Sequence, residues 1–142
     1  MAHTTTSIDI AATPAQVWQL IGGFNSLPDW LPYIPSSTLS EGGRIRHLAN
    51  PAGDVIVEQL EAYDNAARSY SYSILQAPFP ASDYLSTLQV EALAGGDGAR
   101  VTWSGRFTPV GVSEQEVTEL FHGIYAAGLE ALQQSLRKSS GN

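Results

Sequence analysis

With 142 residues and a normal aromatic share of 9%, the chain is long enough for one domain that hides roughly two-thirds of its unfolded surface without a covalent staple. It has no cysteine, which excludes a disulfide framework, a thiolate nucleophile and cysteine-held zinc or iron–sulfur groups. Seven basic against fourteen acidic side chains give a net charge of −7, and the cations are scattered along the chain, so neither nucleic acid nor an anionic lipid surface is an expected partner.

The elements follow in chain order. Thr4 to Ile10 is β-branched and alternating, which predicts a first strand. Thr13-Pro14-Ala15-Gln16 has the threonine cap, the proline at the first helical position and the glutamine three residues on that open a helix, and Gly22-Gly23 stops it. The prolines in Leu27-Pro28-Asp29-Trp30-Leu31-Pro32 leave room only for a short second helical turn. Strands are predicted at about 36–41, 43–49, 54–63, 68–76, 84–94 and 99–108, separated by Gly42-Gly43, Asn50-Pro51-Ala52-Gly53, Asp64-Asn65, Pro78-Phe79-Pro80 and Gly95-Gly96-Asp97-Gly98. Connections this short make neighbouring strands antiparallel, so the six form a meander that the first strand can complete to seven.

A long last helix is predicted from about Ser113 to Lys138, opened by the capping pattern Ser113-Glu114-Gln115-Glu116 and closed by Arg137-Lys138 at its negative end. Val117, Leu120, Phe121, Ile124, Ala127, Gly128, Ala131 and Leu132 recur at three- and four-residue spacing, and this apolar face must be buried on the sheet. Its middle is small, at Ala127, Gly128 and Ala131. Small residues there serve either a close helix–sheet approach or space for a ligand. No repeat or linker divides the chain, so residues 1–138 read as a single α+β domain and 139–142 as a flexible tail. The start lacks the pattern of a signal peptide and no segment has the length of a membrane span, so a cytoplasmic protein without membrane insertion is expected.

The turn near Ala52 pairs Leu48 with Ile56 and Arg46 with Glu58. If the face with Ile56 and Leu60 is the core, Arg46 and Glu58 are an inward ion pair, which is costly unless paired, hydrated or used. If Val55, Val57 and Gln59 face inward, the same two residues are an exposed pair of little value. Alternation alone fits both. Tyr70, Tyr72 and Ile74 form one face of the next strand, followed by Tyr84, Ser86, Leu88 and Val90, and by Val101, Trp103, Gly105 and Phe107, so several hydroxyls and an indole enter the core and need partners. His3, His47 and His122 lack metal-site spacing, and the glycine turns lack a phosphate-loop context. No metal and no cofactor is expected.

The order of elements, with Thr13-Pro14-Ala15-Gln16-Val17-Trp18, Trp30-Leu31-Pro32, Gly42-Gly43 with Arg46, Glu58-Gln59-Leu60 with Asp64, Arg68 with Tyr72 and Ile74, Tyr84-Leu85-Ser86-Thr87 and Val101-Thr102-Trp103, resembles the SRPBCC superfamily. This is also called the START-like or helix-grip superfamily, and within it the resemblance is to bacterial polyketide cyclase/dehydrase-like proteins. It implies a helix-grip fold: a seven-stranded curved antiparallel sheet wrapped around the long C-terminal helix, with two short helices after strand 1. By similarity to the plant abscisic-acid receptors of this fold, it implies a pocket at Arg46, Glu58, Tyr72, Tyr84, Ser86, Trp103, Leu120, Ile124 and Gly128. The lysine that holds the hormone in those receptors corresponds to about Pro35, and a pocket acid falls at Trp103, so the likeness does not extend to abscisic acid. The loops Asn50–Gly53 and Pro78–Pro80 would lie at the mouth as a gate.

The function expected is binding of a hydrophobic small molecule of lipid, polyketide or isoprenoid kind between sheet and helix. The alternative is an aromatase/cyclase or dehydratase with Glu58 as proton acceptor and Arg46 or a tyrosine polarising a carbonyl. A third reading has the cavity collapsed by Trp103, Phe107 and Phe121.

Overall fold

The computed structural model describes residues 2–95 and 98–140. Strand β1 (Ala2–Ile10) leads into helix α1 (Pro14–Ile21) and the single turn α2 (Leu27–Trp30). Strands β2 (Ser36–Ser40), β3 (Ile45–Ala49), β4 (Val55–Asp64), β5 (Ser69–Gln76), β6 (Ala81–Ala92) and β7 (Ala99–Pro109) follow, then helix α3 (Glu114–Ser140). The sheet order is β1-β7-β6-β5-β4-β3-β2 with every neighbour antiparallel, so β1 closes onto β7 and the meander ends at an edge in β2. This is the α+β helix-grip arrangement expected, a curved sheet against one long helix.

Boundaries differ where the backbone turns left-handed. A 3-10 turn over Glu41–Gly43 separates β2 from β3, with φ of +53° at Glu41, +70° at Gly42 and +89° at Gly43. Two of these three positions are glycine, which adopts such φ values without a Cβ penalty. β6 starts three residues earlier than predicted, because Ala81 and Ser82 pair with Pro109 and Thr108 before a bulge at Asp83, where φ is +51°. α3 extends to Ser140, two residues into the stretch read as a tail; Gly141 and Asn142, like Gly96 and Asp97 of the predicted glycine turn, lie outside the described residues.

The caps form from the residues that announce them. Gln16 N–H donates to Thr13 Oγ1 while Gln16 Oε1 accepts from Thr13 N–H, and Glu116 N–H donates to Ser113 Oγ at the start of α3. Helix α1 is pinned to the β4–β5 hairpin by Trp18 Nε1 donating to Asn65 Oδ1 at 2.7 Å and Tyr63 O–H donating to the Gly22 carbonyl at 2.7 Å. Within this α1–α2 unit, α1 lies against β6 and β7 and α2 against β2.

Helix α3 buries Val117, Phe121, Tyr125, Gly128, Leu129 and Leu132 against the sheet. The predicted stripe is thus turned partly around the axis: Leu120 and Ala127 are exposed, Ile124 and Ala131 half-buried, and Tyr125 and Leu129 take the inner places. The apolar surface of this helix is wider than the sheet beneath it, so spacing alone could not choose which part is covered.

Two glycines allow this contact. A Cβ on Gly128 would lie 2.6 Å from Trp103 Cζ3 and 3.1 Å from Leu31 Cδ1, and one on Gly105 would collide with the Tyr125 hydroxyl. Of the two readings of the small helical residues, close approach therefore holds at Gly128, where the Trp103 ring fills the space. Gly123, on the same helix, has open space around it. Opposite outcomes are expected for one substitution: Gly123→Ala raises stability by up to about 1 kcal/mol through helix propensity, whereas Gly128→Ala lowers it by about 1–3 kcal/mol through overpacking. Urea midpoints of the two variants check this, and shifts of equal sign would refute the packing account.

Candidate functional site

The β3–β4 ladder pairs Arg46 with Glu58 and Leu48 with Ile56, as the turn length predicts. It turns the Arg46 face inward: Arg46 is 1% exposed and Glu58 6%, while Val55 is half-exposed. Arg46 Nε and Nη2 both reach Glu58 Oε1, at 2.8 and 2.7 Å. Its Nη1 donates to the Phe24 carbonyl at 2.9 Å and to the Tyr70 hydroxyl at 3.4 Å. The guanidinium carbon lies 4.2 Å from the Phe24 ring centre and 4.7 Å from that of Tyr72, so aromatic rings complete the cage.

Burial works against the Arg46 charge, but Glu58 and the neighbouring tyrosines outweigh it and hold the guanidinium protonated. Burial pushes the Glu58 carboxyl above its ordinary range, and the charge and hydrogen bond of Arg46 offset this only in part. No protein donor reaches Glu58 Oε2 among the described residues.

Next to the ion pair lies a cluster of hydroxyls. Trp103 Nε1 donates to the Tyr72 hydroxyl at 3.1 Å and to Ser86 Oγ at 3.0 Å, and Ser86 donates to the Ser104 carbonyl at 2.8 Å. Tyr84 and Tyr125 share a short hydrogen bond. Burial drives the Tyr72 and Tyr84 phenols well above their usual range. It pushes Tyr125 up to about 12, against the opposing hydrogen bonds from Tyr84 and Ser86. Stacking of Trp103 on Tyr125 at 4.8 Å, with Phe121 at 4.7 Å from Phe107 and 4.9 Å from Tyr84, fills the gap between sheet and helix.

What remains of that gap is a chamber of about 40 Å³, with room for about one or two waters. Arg46, Glu58, Tyr72, Tyr84, Trp103, Ile124 and Tyr125 line it, with Phe79 from the β5–β6 loop. The expectation of a ligand-sized space directly beneath the helix is corrected here, because Trp103, Tyr125 and Phe121 occupy it. A second space of about 600 Å³ runs along the outer flank of α3, lined by Leu31, Pro32, Tyr33, Glu119, Leu120, Gly123, Ile124, Ala127, Gly128 and Ala131. Leu31, Tyr33 and Ile124 belong to both linings and form the partition.

The sequence of the chain matches the profile of the family described as polyketide cyclase / dehydrase and lipid transport over residues 1–137. The chain belongs to that family. The protein XoxI from Bacillus cereus is 64% identical and superposes with a TM-score of 0.93 over 95% of each chain. A START superfamily protein from Mycobacterium smegmatis, 14% identical, matches with a TM-score of 0.80 over 99% of this chain and 100% of its own. The Zhui aromatase/cyclase from a Streptomyces species, 16% identical, matches with 0.77 over 96% and 94%. At these low identities the last two show the shared START-like fold and leave function to the site. No curated protein matches.

The predicted residues divide between the two spaces. Arg46, Glu58, Tyr72, Tyr84 and Trp103 meet at the chamber, Ser86 supports them from behind, Leu120 and Gly128 line the groove, and Ile124 stands between. Tyr125 was not singled out from the sequence, and Leu31 appeared there only within the Trp30-Leu31-Pro32 motif and not as a site residue. Tyr125 falls four residues after Phe121 and eight after Val117, the helical spacing that could have revealed it. Leu31 sits between two prolines' influence, where no periodicity exists to read. One buried donor, Trp30 Nε1, has no acceptor among the described residues, and Trp30 lines neither space. His122 Nδ1 contacts Thr4 Oγ1 at 3.1 Å, outside both.

Breaking the ion pair from one side should cost about 3–5 kcal/mol, so Arg46→Met is expected to lose that much in urea unfolding while the double variant Arg46→Met/Glu58→Leu regains most of it; a single-variant loss below about 1 kcal/mol would contradict the buried pair. The raised phenols give a second expectation. A group held neutral in the fold contributes stability that is complete below the unfolded value of about 10 and is lost as pH rises through the folded one. Stability should therefore fall between about pH 10 and about 12, with a shallower slope in Tyr125→Phe, as followed by circular dichroism.

Proposed function

We propose that the protein binds a hydrophobic small molecule of lipid, polyketide or isoprenoid type, seated along α3 with its polar end toward the Arg46–Glu58 corner. The observation that carries this reading is the pairing of two spaces through one thin partition. The groove of about 600 Å³ has the size of a small-molecule site and an almost wholly apolar lining. The chamber of about 40 Å³ is far too small for such a molecule but holds the ionic and phenolic groups that would orient one. Rotation of Leu31, Tyr33 and Ile124 joins them. Membership of a family described as acting on polyketides and in lipid transport supports the same class of ligand.

A second reading, acid–base chemistry of the cyclase or dehydratase kind, is favoured by Glu58: burial pushes its carboxyl up, and Oε2 is open to take a proton. Arg46 would then hold Glu58 in place, and a tyrosine hydroxyl would polarise a carbonyl.

Native mass spectrometry of freshly purified protein should show a mass above that of the 15.2 kDa chain, released on denaturation. Ala127→Trp, which fills the groove from an exposed position, should remove that extra mass without lowering stability. A folded Ala127→Trp variant that retains the passenger would place the ligand elsewhere. On the enzymatic reading, Glu58→Gln keeps the passenger and stops its conversion.

A further inference from the structure

We infer that Trp30 and Tyr33 form a donor pair for an uncharged oxygen of the ligand, the carbonyl of a ketone, ester or lactone, and that the Trp30 indole N–H finds its partner only when the partition opens. This rests on the ligand-binding reading above and adds the residues that recognise the ligand and the group they recognise.

The three tryptophans differ in how their indole N–H groups are served. Trp18 Nε1 donates to Asn65 Oδ1 at 2.7 Å, and Trp103 Nε1 donates to the Tyr72 hydroxyl and Ser86 Oγ at 3.1 and 3.0 Å. Trp30, at 1% exposure, is more deeply buried than either, yet its Nε1 is the one fully buried side-chain donor or acceptor without a partner among the described residues. Such an N–H has lost its water and gained nothing in return. A phenylalanine would supply ring packing of the same kind without that loss, so packing alone gives no reason for an indole here.

The place of Trp30 in the fold supplies one. It ends α2, and the chain leads from it straight into the partition, where Leu31 and Tyr33 line both chamber and groove. The Trp30 ring centre lies 5.9 Å from that of Trp103, which lines the chamber. The indole is therefore one side chain behind the space that opens when Leu31 turns aside. Tyr33 is the second unused donor of this segment: its exposed side chain lines both spaces, and its hydroxyl bonds to no described residue.

Both donors are neutral, and Leu31, Pro32, Ile34 and Ile124 line the spaces beside them. A carbonyl oxygen has two lone pairs, so one such atom can accept from both donors at once. It also enters apolar surroundings at a much smaller desolvation loss than a carboxylate does. A buried carboxylate needs a cation, and Arg46, the only one lining either space, is already paired with Glu58.

The test uses three molecules of nearly one shape, 2-acetylnaphthalene, 2-ethylnaphthalene and 2-naphthoate, added to the isotope-labelled full chain at about pH 7.5, where the last is ionised. Proton–nitrogen correlation spectra give one indole signal for each tryptophan, and the titrations give the affinities. The Trp30 signal should move downfield with 2-acetylnaphthalene and not with 2-ethylnaphthalene, since the ring current of the naphthalene is common to both. Tyr33→Phe, an exposed change, should weaken 2-acetylnaphthalene about threefold to tenfold and leave 2-ethylnaphthalene unmoved. The naphthoate should bind most weakly. Equal Trp30 shifts with ketone and hydrocarbon, an equal effect of Tyr33→Phe on both, or 2-naphthoate as the tightest of the three overturns the inference and leaves the ligand-binding reading standing. Failure of all three to bind overturns both.

Discussion

The buried Arg46–Glu58 pair is the constraint around which the rest of the molecule is organised. Each ion gives up several kcal/mol of hydration on entering the core, and one contact between them does not recover that loss. Two separate parts of the chain complete the recovery: the segment between α1 and α2, through the Phe24 carbonyl and ring face, and β5, through the Tyr70 hydroxyl and the Tyr72 ring face. Each works only if its own element is in register. A one-residue slip of β3 against β4 would carry Arg46 to the outer face and leave Glu58 unpaired inside, so the pair penalises the wrong register more strongly than apolar packing alone.

The pair also determines how the α1–α2 unit is held. Phe24 lies just after the Gly22-Gly23 stop, and its carbonyl would have no helical partner there; the guanidinium satisfies it and draws the loop down onto the sheet. Trp18 and Tyr63 secure the other side through Asn65 and the Gly22 carbonyl. With both sides fixed, the short α2 turn delivers Leu31 and Tyr33 to the flank of α3, where they separate chamber from groove. The partition is thus held at its base by the hydrogen bonds of Arg46, Trp18 and Tyr63.

The fold was legible because its signals are local: caps, turn residues and alternation point to the same elements, and the hairpin arithmetic that paired residues 46 and 58 needs only the position of a turn. The site was legible in part. Alternation along β4 fits either face, since Val55 and Val57 are as apolar as Ile56 and Leu60; what decides is the cage around Arg46, assembled from residues distant in sequence. On α3 the stripe was read as one surface, yet it serves two, and the division depends on how far the sheet reaches beneath the helix. Gly128 shows the same limit. Its lack of a side chain suits a ligand or a neighbouring ring equally, and only the position of Trp103, from a strand some 25 residues earlier, decides it.

Filling the gap with Trp103, Tyr125 and Phe121 has an energetic consequence for any ligand. These rings contribute dispersion and buried area to the fold, so a molecule that displaced them would have to replace both. Entry along the groove avoids most of that loss, because the groove's apolar lining already faces water and its coverage is favourable at roughly 25 cal/mol per Å². The ion pair is neutral as a unit and exerts little pull over distance, so on the proposed route apolar contact would supply the affinity. Stability and binding then make separate demands on α3: its inner face, through Tyr125 and Leu129, belongs to the core, and its outer face, through Leu120, Gly123 and Ala127, can change without unfolding the domain.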